Sequence, residues 1–205
     1  MAFDPLSYEN LGESITRALD AVEPVKLTDL AKFPGAGIYA LYYLGDFEPY
    51  RLLAEVNRNE ETGPTKAIYI GKAEAENSRT GKTDQTSDAG AKPKLYDRIQ
   101  DHRKSIEAAV NLDVEDFMVR ALTVAPTWIP LAEVVSIRVH SPVWNSITVG
   151  GLGNHNPGSG RAKGKRSPWD TLHPGRSWAA DIPDGKATQD EVAQGVRDYL
   201  RVHNR

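Results

Sequence analysis

Gly37-Ile38-Tyr39-Ala40-Leu41-Tyr42-Tyr43-Leu44 and Ala67-Ile68-Tyr69-Ile70-Gly71 are the two stretches that decide the fold. Both are rich in aromatic and branched residues, and turn signals precede them: Pro34-Gly35-Ala36-Gly37 before the first, Gly63-Pro64 before the second. These features predict strands over 38–44 and 67–70, each with a tyrosine just inside it. The short connection permits antiparallel pairing. It holds an amphipathic helix over 48–58, which reads as an insertion between Leu44 and Lys66.

Outward from these strands, other elements follow from periodicity and breakers. Leu11, Ile15, Leu19 and Val22 form one stripe, which predicts a helix over 7–22 that ends at Pro24. Residues 73–92 are polar and form a long loop, and such loops are usually functional or disordered. A helix is predicted over 93–109, with Pro93 in its first turn, then a strand over 117–124. An unusually apolar helix over 127–140 is closed by Ser141-Pro142. After Trp144 the chain is rich in glycine, and a last helix is expected over 187–201. The order β-β-α-β-α behind a leading helix predicts a small α+β layer domain, with residues 1–205 as one unit.

Composition narrows the function classes. The chain has 205 residues, 40% hydrophobic and 26% charged, as in ordinary globular proteins. It has no cysteine, which excludes disulfides and thiolate metal sites. Its first residues do not resemble a signal peptide, and no stretch is long enough to cross a bilayer, so a cytoplasmic protein is expected. The net charge of −3 hides two basic segments. Residues 66–104 hold nine Lys/Arg against six Asp/Glu, and residues 150–180 hold Arg161, Lys163, Lys165, Arg166 and Arg176 against Asp170 alone. One face meeting a polyanion would produce this pattern, and so would chance clustering on a solvated surface.

Several polar residues stand where helices should be apolar. On the helix over 93–109, His102 falls inside the stripe of Leu95, Ile99 and Ile106, and Arg98 lies on its edge. Arginine rarely faces a core unless paired, although its stem can cover apolar surface while its head reaches water. Glu133 shares a helix face with Ile129, Ile137 and His140. A buried carboxylate must be neutralised, bound to a metal, or paired, here with an arginine. Tyr39 and Tyr69 taken singly are ordinary packing residues, and Asn145 an ordinary turn residue.

Gly37-Ile38-Tyr39 and Tyr69-Ile70-Gly71 read GIY and YIG, and the chain resembles the GIY-YIG nuclease superfamily. Its further signature is an Arg on the next helix, a His or Tyr one turn later, a Glu on a later helix and an Asn beyond it. Arg98, His102, Glu133 and Asn145 occupy those places in order, and Lys72 matches a frequent basic residue. The match covers 37–145, within a catalytic core of about 33–145. The stretch 35–43, the pair Arg98/His102, Pro142-Val143-Trp144-Asn145, Gly153-Asn154-His155-Asn156-Pro157-Gly158 and His173-Pro174-Gly175-Arg176 is similar to type II restriction endonucleases on this fold. One branch of these cuts a GC-rich palindrome, CCGCGG.

The resemblance implies a three-stranded antiparallel sheet flanked by helices and a DNA endonuclease that uses one Mg²⁺ held by Glu133. A hard cation that keeps several waters needs few protein oxygens. Arg98 would stabilise charge on phosphorus, and Tyr39 would deprotonate the attacking water. His102 and the positive surroundings would lower the Tyr39 pKa or relay its proton. Tyr69 would position water or a phosphate oxygen, and Asn145 would orient its neighbours.

For DNA contact the candidates are Lys72, Arg79, Lys82, Asn154, His155, Arg161, Lys163, Lys165 and Arg166, with 150–180 as a DNA-contacting extension. A palindrome implies a homodimer on double-stranded DNA, and a restriction enzyme implies a methyltransferase as genetic neighbour. A structure-specific or repair nuclease is the alternative among enzymes. A non-catalytic DNA-binding protein is the alternative outside them, and the intact set of six site residues speaks against it.

Overall fold

A computed structural model describes residues 4, 7–74, 92–156 and 164–203. Seven helices and four strands are described: α1 (Tyr8–Asp20), β1 (Val25–Lys26), β2 (Gly37–Tyr43), α2 (Arg51–Asn57), β3 (Tyr69–Ala73), α3 (Lys94–Ala108), β4 (Phe117–Thr123), α4 (Ile129–His140), α5 (Pro168–Leu172), α6 (Ser177–Ala180) and α7 (Gln189–His203). The strands form one antiparallel sheet in the order β1-β4-β2-β3, flanked by helices. The fold is therefore α+β, as expected, with four strands instead of three. The added strand is β1, whose Val25 and Lys26 pair with Val119 and Met118 at the sheet edge. Two residues are too few to show an alternating pattern.

β2 lies between two partners and is buried along its whole length. A strand covered on both faces needs no polar alternation, so it reads as a continuous apolar run. Successive side chains still point to opposite faces. Tyr39, Leu41 and Tyr43 join the core formed with Leu95, Ile99 and Ile106 of α3, while Ile38, Ala40 and Tyr42 pack with Leu19 of α1 and Ile129 and Ala132 of α4. The two tripeptides are packed against each other. Tyr39 stands opposite Gly71 in the β2–β3 register, and a Cβ at Gly71 would overlap the Tyr39 hydroxyl. Gly37 lies against the backbone of Leu122 and Thr123 with equally little room.

The helix expected over 48–58 is a short 3-10 turn followed by α2, and it belongs to the core. Asn57 is buried and binds across the connection. Its Nδ2 donates to Tyr43 O (3.1 Å) and Lys66 O (2.9 Å), and its Oδ1 accepts from Thr65 N (3.1 Å) and Lys66 N (2.8 Å). Tyr50 forms a hydrogen-bonded hub. Trp144 Nε1 donates to its hydroxyl (2.7 Å), which also lies 2.6 Å from His173 Nε2. Trp169 and Leu172 are fully buried in the same cluster. The extension after Asn145, which composition presents as a loop, is thus partly core. Among the described residues, no helix is long and apolar enough to cross a membrane.

Candidate active site

Tyr39 comes from β2, Tyr69 from β3, and Arg98 and His102 from adjacent turns of α3. The pair i, i+4 places His102 one turn beyond Arg98 on the same side of the helix. The rings of Tyr39, Tyr69 and His102 form a triangle, with centroids 6.1 Å, 5.6 Å and 5.1 Å apart. Arg98 is half-buried at its rim. The Tyr39 hydroxyl and His102 Nε2 are buried without a well-formed hydrogen bond. Leaving such atoms unsatisfied is unfavourable, which sets them apart from ordinary packing groups.

Glu133 approaches from the other side of the sheet edge. It lies on α4, and β3 carries Lys72 on the face opposite Tyr69, by the alternation of the strand. Lys72 Nζ lies 3.3 Å from Glu133 Oε2 and 2.8 Å from Glu74 Oε1. The partner of Glu133 is thus a lysine, where the sequence had suggested an arginine. Its carboxylate is partly exposed and close enough to influence both tyrosines. No group of three or more His, Asp or Glu side chains placed to hold a metal ion occurs among the described residues. Glu133 and Glu74 are accessible carboxylates here, oxygen donors of the kind a hydrated Mg²⁺ would take.

Asn145 binds the free edge of β3. Its Oδ1 accepts from Ile70 N and its Nδ2 donates to Ile70 O, both at 2.8 Å, as a strand partner would. Trp144 N adds a bond to Ile68 O (2.9 Å). Asn145 thereby supports the strand that carries Tyr69.

Burial sets the protonation states. It pushes the Tyr39 hydroxyl well above its ordinary value, Tyr69 adds to the effect, and Arg98 opposes it. Tyr69 is also raised by burial, against the pull of Arg98. Burial, with Arg98 and Arg176 adding positive charge nearby, lowers His102 to about 3. His102 is therefore neutral near pH 7. It contributes no positive charge that would lower the Tyr39 hydroxyl, whereas Arg98 does.

The residues expected to contact DNA divide into three groups. Arg79, Lys82, Arg161 and Lys163 lie outside the described residues. Asn154, His155 and Lys165 are exposed. Lys72 pairs with Glu133, and Arg166 is half-buried and engaged with the chain itself: its guanidinium donates to the carbonyls of Ala179, Ala180 and Ile182 and pairs with Asp184 at 3.0 Å.

Sequence reasoning missed how closely the extension meets the site. Arg98 Nη2 donates to Gly153 O (3.2 Å), and Arg98 Nη1 lies 2.7 Å from His155 Nε2. It also missed the buried pair Asp170–Arg176 (2.7 Å) that holds this turn. The available signal was Asp170, the sole acid in a strongly basic stretch.

Residues 31–200 match the family described as the Eco29kI GIY-YIG domain. The match covers most of the chain, which belongs to this family and is a restriction-type DNA endonuclease. Among curated proteins, none matches the chain by sequence.

Proposed function

We propose that the protein is a site-specific type II restriction endonuclease that hydrolyses phosphodiester bonds in double-stranded DNA with one Mg²⁺ per site. Its target is a GC-rich palindrome of the CCGCGG type, read by a homodimer and protected by a companion methyltransferase. What supports the reading is the convergence of Tyr39, Tyr69, Arg98 and His102 on the α3 face of β2 and β3, with Glu133 approaching β3 from the opposite face.

Each role follows from local chemistry. The planar guanidinium of Arg98 retains N–H donors beyond those bound to the extension, so it stabilises the charge that builds on phosphorus. Tyr39 holds its proton near pH 7 and becomes a base only as positive charge gathers around it. Neutral His102 lies against its ring and relays that proton. Tyr69 orients the water or a phosphate oxygen. Mg²⁺ held by Glu133 would supply Lewis acidity toward a phosphate oxygen and the leaving 3′ oxygen. Asn154, His155 and Lys165, all exposed polar groups, would face the DNA.

Plasmid DNA incubated with the protein and Mg²⁺ tests this. Discrete fragments are expected. A smear would replace site specificity with general or structure-specific cutting, and intact plasmid would mean a binder. Sedimentation with and without a cognate duplex checks the dimer. A monomer in both conditions rejects it.

A further inference from the structure

Arg176 is 5% exposed, which is unusual for an arginine, and its environment accounts for it. Its Nε donates to Asp170 Oδ1 (2.7 Å), and Asp170 is itself 3% exposed. Its Nη1 donates to Leu152 O (3.0 Å) and Asn154 O (3.2 Å), and its Nη2 donates to Gly151 O (3.0 Å). The guanidinium lies between the rings of Trp169 and Trp178, 4.6 Å from each centroid. Asp170 is fixed in turn by Ser167, whose Oγ donates to Asp170 Oδ2 (2.6 Å).

Three carbonyls of one short turn thus converge on one cation. The remaining carbonyl of that turn, Gly153 O, binds Arg98 instead, at 3.2 Å. His155, two residues further on, meets the other terminal nitrogen of Arg98 at 2.7 Å. Residues 151–155 are therefore held between two arginines, one buried and one at the site. The approach is close. A Cβ at Gly153 would lie 3.1 Å from Arg98 Nη2, 3.3 Å from the Tyr69 hydroxyl and 4.0 Å from His102 Cε1.

We propose that Arg176 is a positioning residue for Arg98. By gathering the carbonyls of Gly151, Leu152 and Asn154, it sets where Gly153 O and His155 stand, and these fix the plane and position of the Arg98 guanidinium. A lysine cannot do this, because a single ammonium does not present donors in a rigid planar fork. The inference rests on the reading that Arg98 acts on the scissile phosphate.

Two variants of the full chain test it, read against wild type. R176K keeps the charge beside Asp170 and removes the fork. G153A leaves the buried pair intact and, because Gly153 lacks a left-handed backbone, adds only the crowded methyl. Three quantities are measured: the melting midpoint, plasmid affinity without added divalent metal, and the single-turnover rate of plasmid cleavage with Mg²⁺.

A cleavage rate at least tenfold lower is expected for both variants. For G153A, melting should be unchanged and affinity should stay within twofold. Wild-type cleavage rates in both variants, or rate losses that merely follow melting or affinity, would overturn the proposal. The Arg98 Nε–H resonance, assigned by its loss in R98K, gives a readout independent of cutting. It should shift in both R176K and G153A, and an unmoved resonance rejects the linkage. Failure of wild type to cut would reject the nuclease reading alone, while the resonance would still decide the positioning role.

Discussion

Two regions meet at Arg98, and they are built on different principles. The module from Gly37 to Asn145 contributes reactive side chains from β2, β3, α3 and α4, with regular backbone and apolar packing fixing each one. The segment from Gly150 to Arg176 contributes mainly carbonyl oxygens and one imidazole, with a buried ion pair fixing them. In the first region, position comes from periodic secondary structure. In the second, one guanidinium organises a turn that has no periodicity. A difference of this kind predicts that the two regions fail in different ways.

The largest contrast is between Asp170 and Arg98. Asp170→Ala leaves Arg176 buried without its counter-ion, which should cost about 3–5 kcal/mol of stability. Chemical denaturation checks this. A loss under about 1 kcal/mol would mean that water reaches Arg176. Arg98→Ala removes a rim cation that the fold does not require. It should fold normally and lose about 10³-fold in cleavage rate, measured in a single turnover. An equal stability loss in both variants would erase the proposed distinction.

Acid should affect both regions, through one histidine in each. Burial lowers His102 and His173 to about 3. Their folded pKa lies below the ordinary value near 6.5, so the unfolded chain binds protons first as pH falls. The stability they contribute is full above about pH 6.5 and declines as pH drops toward 3. At pH 5 each should account for about 2 kcal/mol lost. Denaturation at pH 7 and pH 5 checks this, and His173→Asn should flatten part of the slope.

Smaller effects sharpen the comparison at its edges. Asn145→Ala removes both side-chain bonds to Ile70, exposing the edge of β3, and should cost about 1–2 kcal/mol. Amide exchange should quicken at Ile70. Lys165→Ala should leave stability within about 0.5 kcal/mol. If Lys165 meets a phosphate, the salt dependence of DNA binding should weaken by about 0.9 in log–log slope.

The sequence revealed the periodic region far better than the other. The apolar run at 38–44, the stripe around His102 and the short connection over 44–66 each dictated an element, because burial imposes a repeating pattern on helices and strands. Arg98, His102 and Glu133 were also visible, as polar groups in apolar surroundings, whereas Tyr39 and Tyr69 stood out only through the two tripeptides that hold them. What could not be read was the pairing. Glu133 meets Lys72 across a sheet edge, and only the β2–β3 register brings that lysine to the face of α4. β1 escaped because two residues carry no period. The extension looked like a solvated basic loop, because three of its structural contacts are made by backbone carbonyls to Arg176. Carbonyl positions leave no trace in residue identity. Arg166 illustrates the same limit: its charge suggested DNA, while its guanidinium binds the chain around Ala179.

The proposed metal-dependent nuclease centre around Glu133 is examined with the variant E133Q. Wild type and E133Q are compared for plasmid cleavage in Mg²⁺, with DNA binding measured in parallel. Discrete fragments from wild type alone, with plasmid affinity retained in E133Q, are the predicted result. Fragments from E133Q at the wild-type rate would contradict it.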